Sequence, residues 1–161
     1  MKQEEIKIQY KKYRRDELDN DVLELLQHAE KSMKNAYAPY SKFHVGAAVK
    51  LANGKIITGN NQENAAYPSG LCAERVALFY ANAEYPNIPV TDLIVVAESG
   101  SQGITEVPVS PCGSCRQVMQ ETESRYHKHM RVMLAGKEEL WVFDNVSQLL
   151  PLNFTDDFFA E

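Results

Sequence analysis

Two short segments limit the fold of this chain more than anything else in it: Cys72-Ala73-Glu74-Arg75 and Pro111-Cys112-Gly113-Ser114-Cys115-Arg116. Between them they hold all three cysteines. An odd number cannot pair off completely within one chain, and in a reducing compartment clustered cysteines point to metal binding or catalysis before disulfides. Each segment reads as a loop turning into a helix. There, free N–H groups and the positive end of the helix dipole favour thiolate, the form that binds metal. Cys112 and Cys115 stand three residues apart, so one helical turn presents both on one side. Cys72 then comes from the start of a second helix and closes a three-sulfur site. Residues two apart do not share a helix face, so Cys72 and Glu74 converge only if Cys72 lies at the cap, outside helical geometry. Gly70 is expected to ease that turn.

The rest of the pattern supplies the scaffold. Leu18, Val22, Leu25, Leu26, Ala29 and Met33 recur at helical spacing and predict an amphipathic first helix between Asp16 and Lys34; the turn-rich NAYAPYS ends it. FHVGAAVKL and IITGN flank an Asn53-Gly54 signal and read as a hairpin. Residues 71–84 read as a helix. DLIVVAE (92–98) is a continuous apolar run, as expected of a central strand buried on both faces. A loop over 99–111 leads to a helix from about Cys112 to Glu123. MRVMLA (130–135) and ELWVF (139–143) are strand candidates, and Ser147–Leu150 fits a short final helix before Pro151. Strands alternating with helices imply an α/β fold: a three-layer α/β/α sandwich on a mixed sheet of about five strands, with an antiparallel opening hairpin and parallel crossovers later. Residues 1–16 read as an arm whose alternating Ile6, Ile8 and Tyr10 suit a short extended piece. Residues 17–155 read as one catalytic domain and 156–161 as an acidic tail.

Charge narrows the partners. The net charge is −5, and the one basic run, Lys11 to Arg15, is flanked by Glu4-Glu5 and Asp16-Glu17. A protein that tracks a phosphate backbone carries a basic stripe, so no nucleic-acid partner is expected. No stretch approaches the roughly 20 apolar residues of a membrane span, and the N-terminus lacks the apolar core of a signal peptide. The expected location is the cytoplasm, with no membrane partner.

Three protein ligands suit a catalytic zinc with an open fourth position, whereas structural zinc fills all four from protein. His28, His44, His127 and His129 are the only nitrogen donors for a fourth position, with His44 in the FHVGAA strand the one to check first. An open zinc lowers the pKa of bound water toward about 7. Glu74 can take that proton and deliver it to a leaving group, which suits hydrolytic attack on an electron-poor carbon. Three thiolates would leave the metal a weaker acid; Arg75 and the helix ends can offset this through the sulfurs. Arg116 is expected to do likewise or to form a surface salt bridge.

C-A-E followed by P-C-x-x-C, with Cys112 38 residues after Glu74, matches the signature of zinc deaminases that act on bases. More broadly, the chain resembles the small homotetrameric cytidine deaminases from about Leu18 to Phe154. AYAPYSKFHVGAAV (36–49), GNNQENAAYPSGLCAERVAL (59–78), SPCGSCRQVMQE (110–121) and LLPLNF (149–154) carry the likeness. The resemblance implies one zinc per subunit on Cys72, Cys112 and Cys115. It implies that zinc-bound hydroxide attacks C4 of cytidine or deoxycytidine while Glu74 shuttles protons, in pyrimidine salvage. It places Asn61 and Glu63 on the ribose hydroxyls, Phe43 against the pyrimidine and the backbone of Ala73 on the base. It makes Phe154 an aromatic lent to a neighbouring subunit, so that sites in a homotetramer are shared, and sets Tyr67 near a subunit junction. Three other readings compete. A deaminase of a related nucleoside such as blasticidin S is disfavoured by the N-x-E-N and AYPSG segments. A polynucleotide editor is disfavoured by the acidic charge. A non-catalytic zinc module predicts a fourth protein ligand.

Overall fold

The computed structural model describes residues 1–159; residues 160 and 161, at the end of the expected acidic tail, lie outside the described residues. Six strands form one sheet: β1 (Lys11–Arg14), β2 (Phe43–Leu51), β3 (Ile56–Asn60), β4 (Val90–Ser99), β5 (Arg131–Ala135) and β6 (Glu139–Phe143). Their order is β1-β6-β5-β4-β2-β3. β4 and β5 run parallel across a helical crossover, and the other neighbours are antiparallel. The three helices are α1 (Asn20–Met33), α2 (Ala73–Glu84) and α3 (Gly113–Tyr126).

The sheet separates two cores, which makes the expected three layers. Ala47, Val49, Leu93, Val95, Val132 and Leu134 join the core under α2 and α3, while Ala48, Ile94, Val96 and Met133 join that under α1. Their strict alternation follows from the two-residue period of a strand. β4 is buried on both faces from Leu93 to Ala97, which is why its sequence is an unbroken apolar run rather than an alternating one. α1 begins where Asp19 accepts a hydrogen bond from the Val22 N–H at 2.8 Å, satisfying one free donor of the first turn.

One close approach fixes the depth of α2. A Cβ on Gly59 of β3 would lie 2.5 Å from both the Ala73 carbonyl oxygen and the Ala77 nitrogen. Only glycine lets the first turn of α2 settle on the strand here, and that turn follows directly on Cys72.

The sheet has six strands rather than about five. The sixth, β1, falls within the segment read as an arm and pairs with β6 from Lys11–Val142 to Arg14–Glu139. Its four residues KKYR are all exposed, so no apolar alternation marks them as a strand. Charge of this kind is how proteins blunt a sheet edge against further pairing. The apolar anchor lies one residue earlier, where the Tyr10 ring packs 5.3 Å from Trp141 and 5.2 Å from Phe143. The expected final helix at 147–150 is a single 3-10 turn over Val146–Gln148.

Candidate active site

α2 and α3 start side by side. Cys72 caps α2 with extended backbone (φ −74°, ψ 153°) and Cys112 caps α3 likewise (φ −67°, ψ 166°). Cys72 thus stands outside helical geometry, as convergence with Glu74 requires. Gly70 helps differently from the expectation: its φ is an ordinary −70°. What it lacks is a Cβ that would sit 3.2 Å from the Gln62 carbonyl and 3.3 Å from that of Tyr67, where Gln62 pairs with Leu71.

The three sulfurs gather at this junction. Cys112 Sγ lies 3.9 Å from Cys72 Sγ and 3.5 Å from Cys115 Sγ, and all three fall within 4.8 Å of one another. Cys115 is fully buried, Cys72 half-buried and Cys112 exposed. Hydrogen bonding from Cys115 and from Arg75, whose Nη2 is 3.8 Å from the Cys72 sulfur, pulls the Cys72 thiol down to about 5. The same bond to Cys72, together with burial, pushes the Cys115 thiol up. Of this pair Cys72 is the one that favours the thiolate, and a cation placed beside the sulfurs would favour that form further. Soft thiolates packed this closely suit zinc, and among the described residues no fourth protein donor joins them. His44 lies instead 3.5 Å from Glu98 and His129 3.5 Å from Glu123.

Glu74, the second residue of α2, is buried. Burial pushes its carboxyl up from the usual range, its own backbone N–H pulls it down, and the Cys72 charge adds to the rise. It lines a cavity of about 790 Å³ together with Cys72, Arg75 and Cys112. The same cavity takes in Phe43, Asn61 and Glu63 and has Tyr67 on its wall, so residues from four distant stretches meet there. Asn61 donates to the Phe43 carbonyl at 2.9 Å and accepts from the Val45 N–H at 2.8 Å. These bonds lock its amide against the start of β2. Glu63 accepts the Tyr40 and Ser41 N–H groups at 2.9 and 3.3 Å through Oε2; the Ser41 side chain first, and these main-chain bonds after it, hold its carboxyl below the usual range against the opposing effect of burial.

Three further residues singled out in the sequence lie off the cavity wall. Ala73 is buried behind the wall rather than lining the cavity. Phe154 is absent from the cavity; it is exposed and stacks on Phe158 with centroids 5.7 Å apart. Among the described residues Arg116 bonds to neither a sulfur nor a carboxylate. Its Nε donates to the Pro111 carbonyl and its Nη1 to the Leu149 carbonyl, each at 2.8 Å. The sequence reading missed the role of Tyr40 and Ser41 as donors to Glu63, because they act through main-chain N–H groups that any residue could supply. The APYS turn was the only signal there.

Comparison with known proteins bears on the same residues. A family model for the cytidine and deoxycytidylate deaminase zinc-binding region matches residues 19–130. A cytidine deaminase of Halalkalibacterium halodurans is 42% identical over 132 residues, covering 81% of this chain and 92% of that protein. The crystal structure of the Burkholderia pseudomallei cytidine deaminase superposes with a TM-score of 0.72 at 38% identity, covering 82% of this chain and 98% of that one. That of Mycobacterium tuberculosis gives 0.63 at 28% identity, covering 85% and 99%.

Proposed function

Because the chain belongs to the cytidine and deoxycytidylate deaminase family of zinc-dependent hydrolases, we propose that it converts cytidine and deoxycytidine to uridine and deoxyuridine with release of ammonia. The observation that carries this reading is a buried carboxylate, Glu74, set beside three clustered thiols on the wall of a cavity large enough for a nucleoside. Cys72, Cys112 and Cys115 hold one zinc. A zinc ion there supplies Lewis acidity that makes water available as a nucleophile near neutral pH.

The chain's own residues do the rest. Glu74 takes a proton from the attacking water and gives one to ring N3 as the C4–O bond forms. It then carries the proton of the new C4 hydroxyl to the exocyclic amine; the C4–N bond breaks, C4 becomes a carbonyl and ammonia leaves. A carboxyl raised by burial holds protons closer to neutral pH, where it can both accept and return them. Arg75 tempers the charge of the thiolates by bonding to Cys72. Phe43 packs on the pyrimidine and the Ala73 backbone reads the base. Asn61 and Glu63, pre-aligned by their main-chain bonds, take the ribose hydroxyls. Phe154, exposed and off its own cavity wall, completes the site of a neighbouring subunit in a homotetramer. We assign the enzyme to pyrimidine salvage in the cytoplasm, where thiols stay reduced; among the described residues no helix is long and apolar enough to cross a membrane.

The cavity also favours a nucleoside over its 5′-phosphate. Among the described residues Arg75 is the only Lys or Arg on its wall, and it is engaged by Cys72, while Glu63 places a negative charge at the proposed sugar end. Like charges brought together cost several kcal/mol. Purified enzyme should deplete cytidine and deoxycytidine in an ultraviolet assay, with cytidine monophosphate slower by more than about tenfold. Equal or faster loss of the monophosphate, or no loss of cytidine, would refute the assignment.

A further inference from the structure

The three thiols are not held equally. Cys115 is fixed by complete burial and Cys72 is half-covered and bonded to Arg75, but Cys112 is exposed. An exposed ligand has no packed core to hold its position, so its main chain must be held instead. Arg116 is placed to do that. Its backbone N–H donates to the Cys112 carbonyl at 3.0 Å, and its side chain turns back to donate from Nε to the Pro111 carbonyl at 2.8 Å. The side chain thereby holds the carbonyl of the Pro111–Cys112 link itself, and the main chain holds the Cys112 carbonyl that follows it. The other arm of the guanidinium reaches the Leu149 carbonyl at 2.8 Å, on a buried residue just past β6. That far anchor is itself tied to α3, since the Val146 N–H donates to Glu123 at 3.1 Å. The fork of a guanidinium suits two diverging acceptors, a geometry an ammonium cannot reproduce.

We propose that Arg116 is a positioning residue for the metal loop, holding the exposed ligand Cys112 in place through the Pro111 and Leu149 carbonyls. This role rests on the three-cysteine zinc site proposed above and predicts that Arg116 governs how long the metal stays bound. Groups that orient metal ligands typically change metal affinity by about 10–100-fold when replaced.

The test follows zinc release from the fully loaded enzyme into a chromogenic chelator, alongside the thermal midpoint of each zinc-free variant. Arg116→Ala should release zinc at least about tenfold faster than wild type, and Arg116→Lys, which keeps the charge but loses the fork, should fall between them. A purely structural Arg116 would lower the thermal midpoint and leave release unchanged, and that result overturns the proposal. If Arg116→Ala does not fold, Arg116→Lys decides alone: release at the wild-type rate overturns the role and faster release supports it. Wild-type enzyme that binds no zinc would overturn the metal site itself, a failure seen before any variant is made.

Discussion

Two carboxylates are buried at opposite ends of the same helical layer, Glu74 at the start of α2 and Glu123 near the end of α3, and they have almost equal exposure, 5% and 7%. Their surroundings are nevertheless opposite. Glu123 accepts the main-chain N–H of Met130 at 2.7 Å and of Val146 at 3.1 Å, with His129 Nδ1 at 3.5 Å. Its acceptors are committed to joining α3, the lead into β5 and the turn after β6. Among the described residues Glu74 has no such main-chain partners from other elements; it lines a cavity beside the sulfurs. Burial alone therefore does not mark a catalytic acid. A buried carboxylate whose bonds are all made to the fold is a fastener, while one left with bonding capacity and a raised pKa is available for proton transfer.

Replacement should separate the two completely. Glu74→Gln keeps shape and removes the proton carrier, so kcat for cytidine should fall by about 10²–10⁴-fold while zinc content and the thermal midpoint are retained. A drop in zinc content equal to the drop in rate would make Glu74 a ligand and erase the distinction. Glu123→Ala should do the reverse. It strands two buried N–H groups, a loss on the order of 3 kcal/mol, or roughly 6–12 °C in thermal midpoint for a chain of this size. kcat per folded, zinc-loaded site should change little.

The smallest effect is in pH. Glu74 binds its proton more tightly folded than unfolded, because burial raises its pKa above the ordinary 4.5. Its contribution to stability is therefore fully present below about 4.5 and is lost as pH rises through the raised value. In zinc-free protein the advantage of Glu74→Gln over wild type in thermal midpoint should widen from pH 4.5 toward neutral. A flat difference would mean that the folded carboxyl is not shifted.

The contrast between these residues also shows what the sequence could reveal. The sulfur cluster, Glu74 and the layered fold were legible, because thiol spacing and apolar periodicity are local signals that need no partner to be named. The apolar run of β4 marks a central strand, and Leu93 to Ala97 are buried on both faces. Glu123 gave no signal at all. Its partners are N–H groups of Met130 and Val146, which carry no side-chain signature. β1 was hidden for a related reason: its pairing with β6 is main-chain to main-chain, and its side chains KKYR answer only to solvent. Arg116 was visible, but its charge suggested an ionic partner, whereas its bonds run to two carbonyls.

The central claim is that three thiols hold one catalytic metal beside Glu74. Metal analysis of the purified enzyme, coupled to cytidine turnover before and after chelation, tests it most directly. One zinc per chain is expected, with turnover that vanishes on chelation and returns when zinc is restored. Full turnover in enzyme stripped of metal would contradict it.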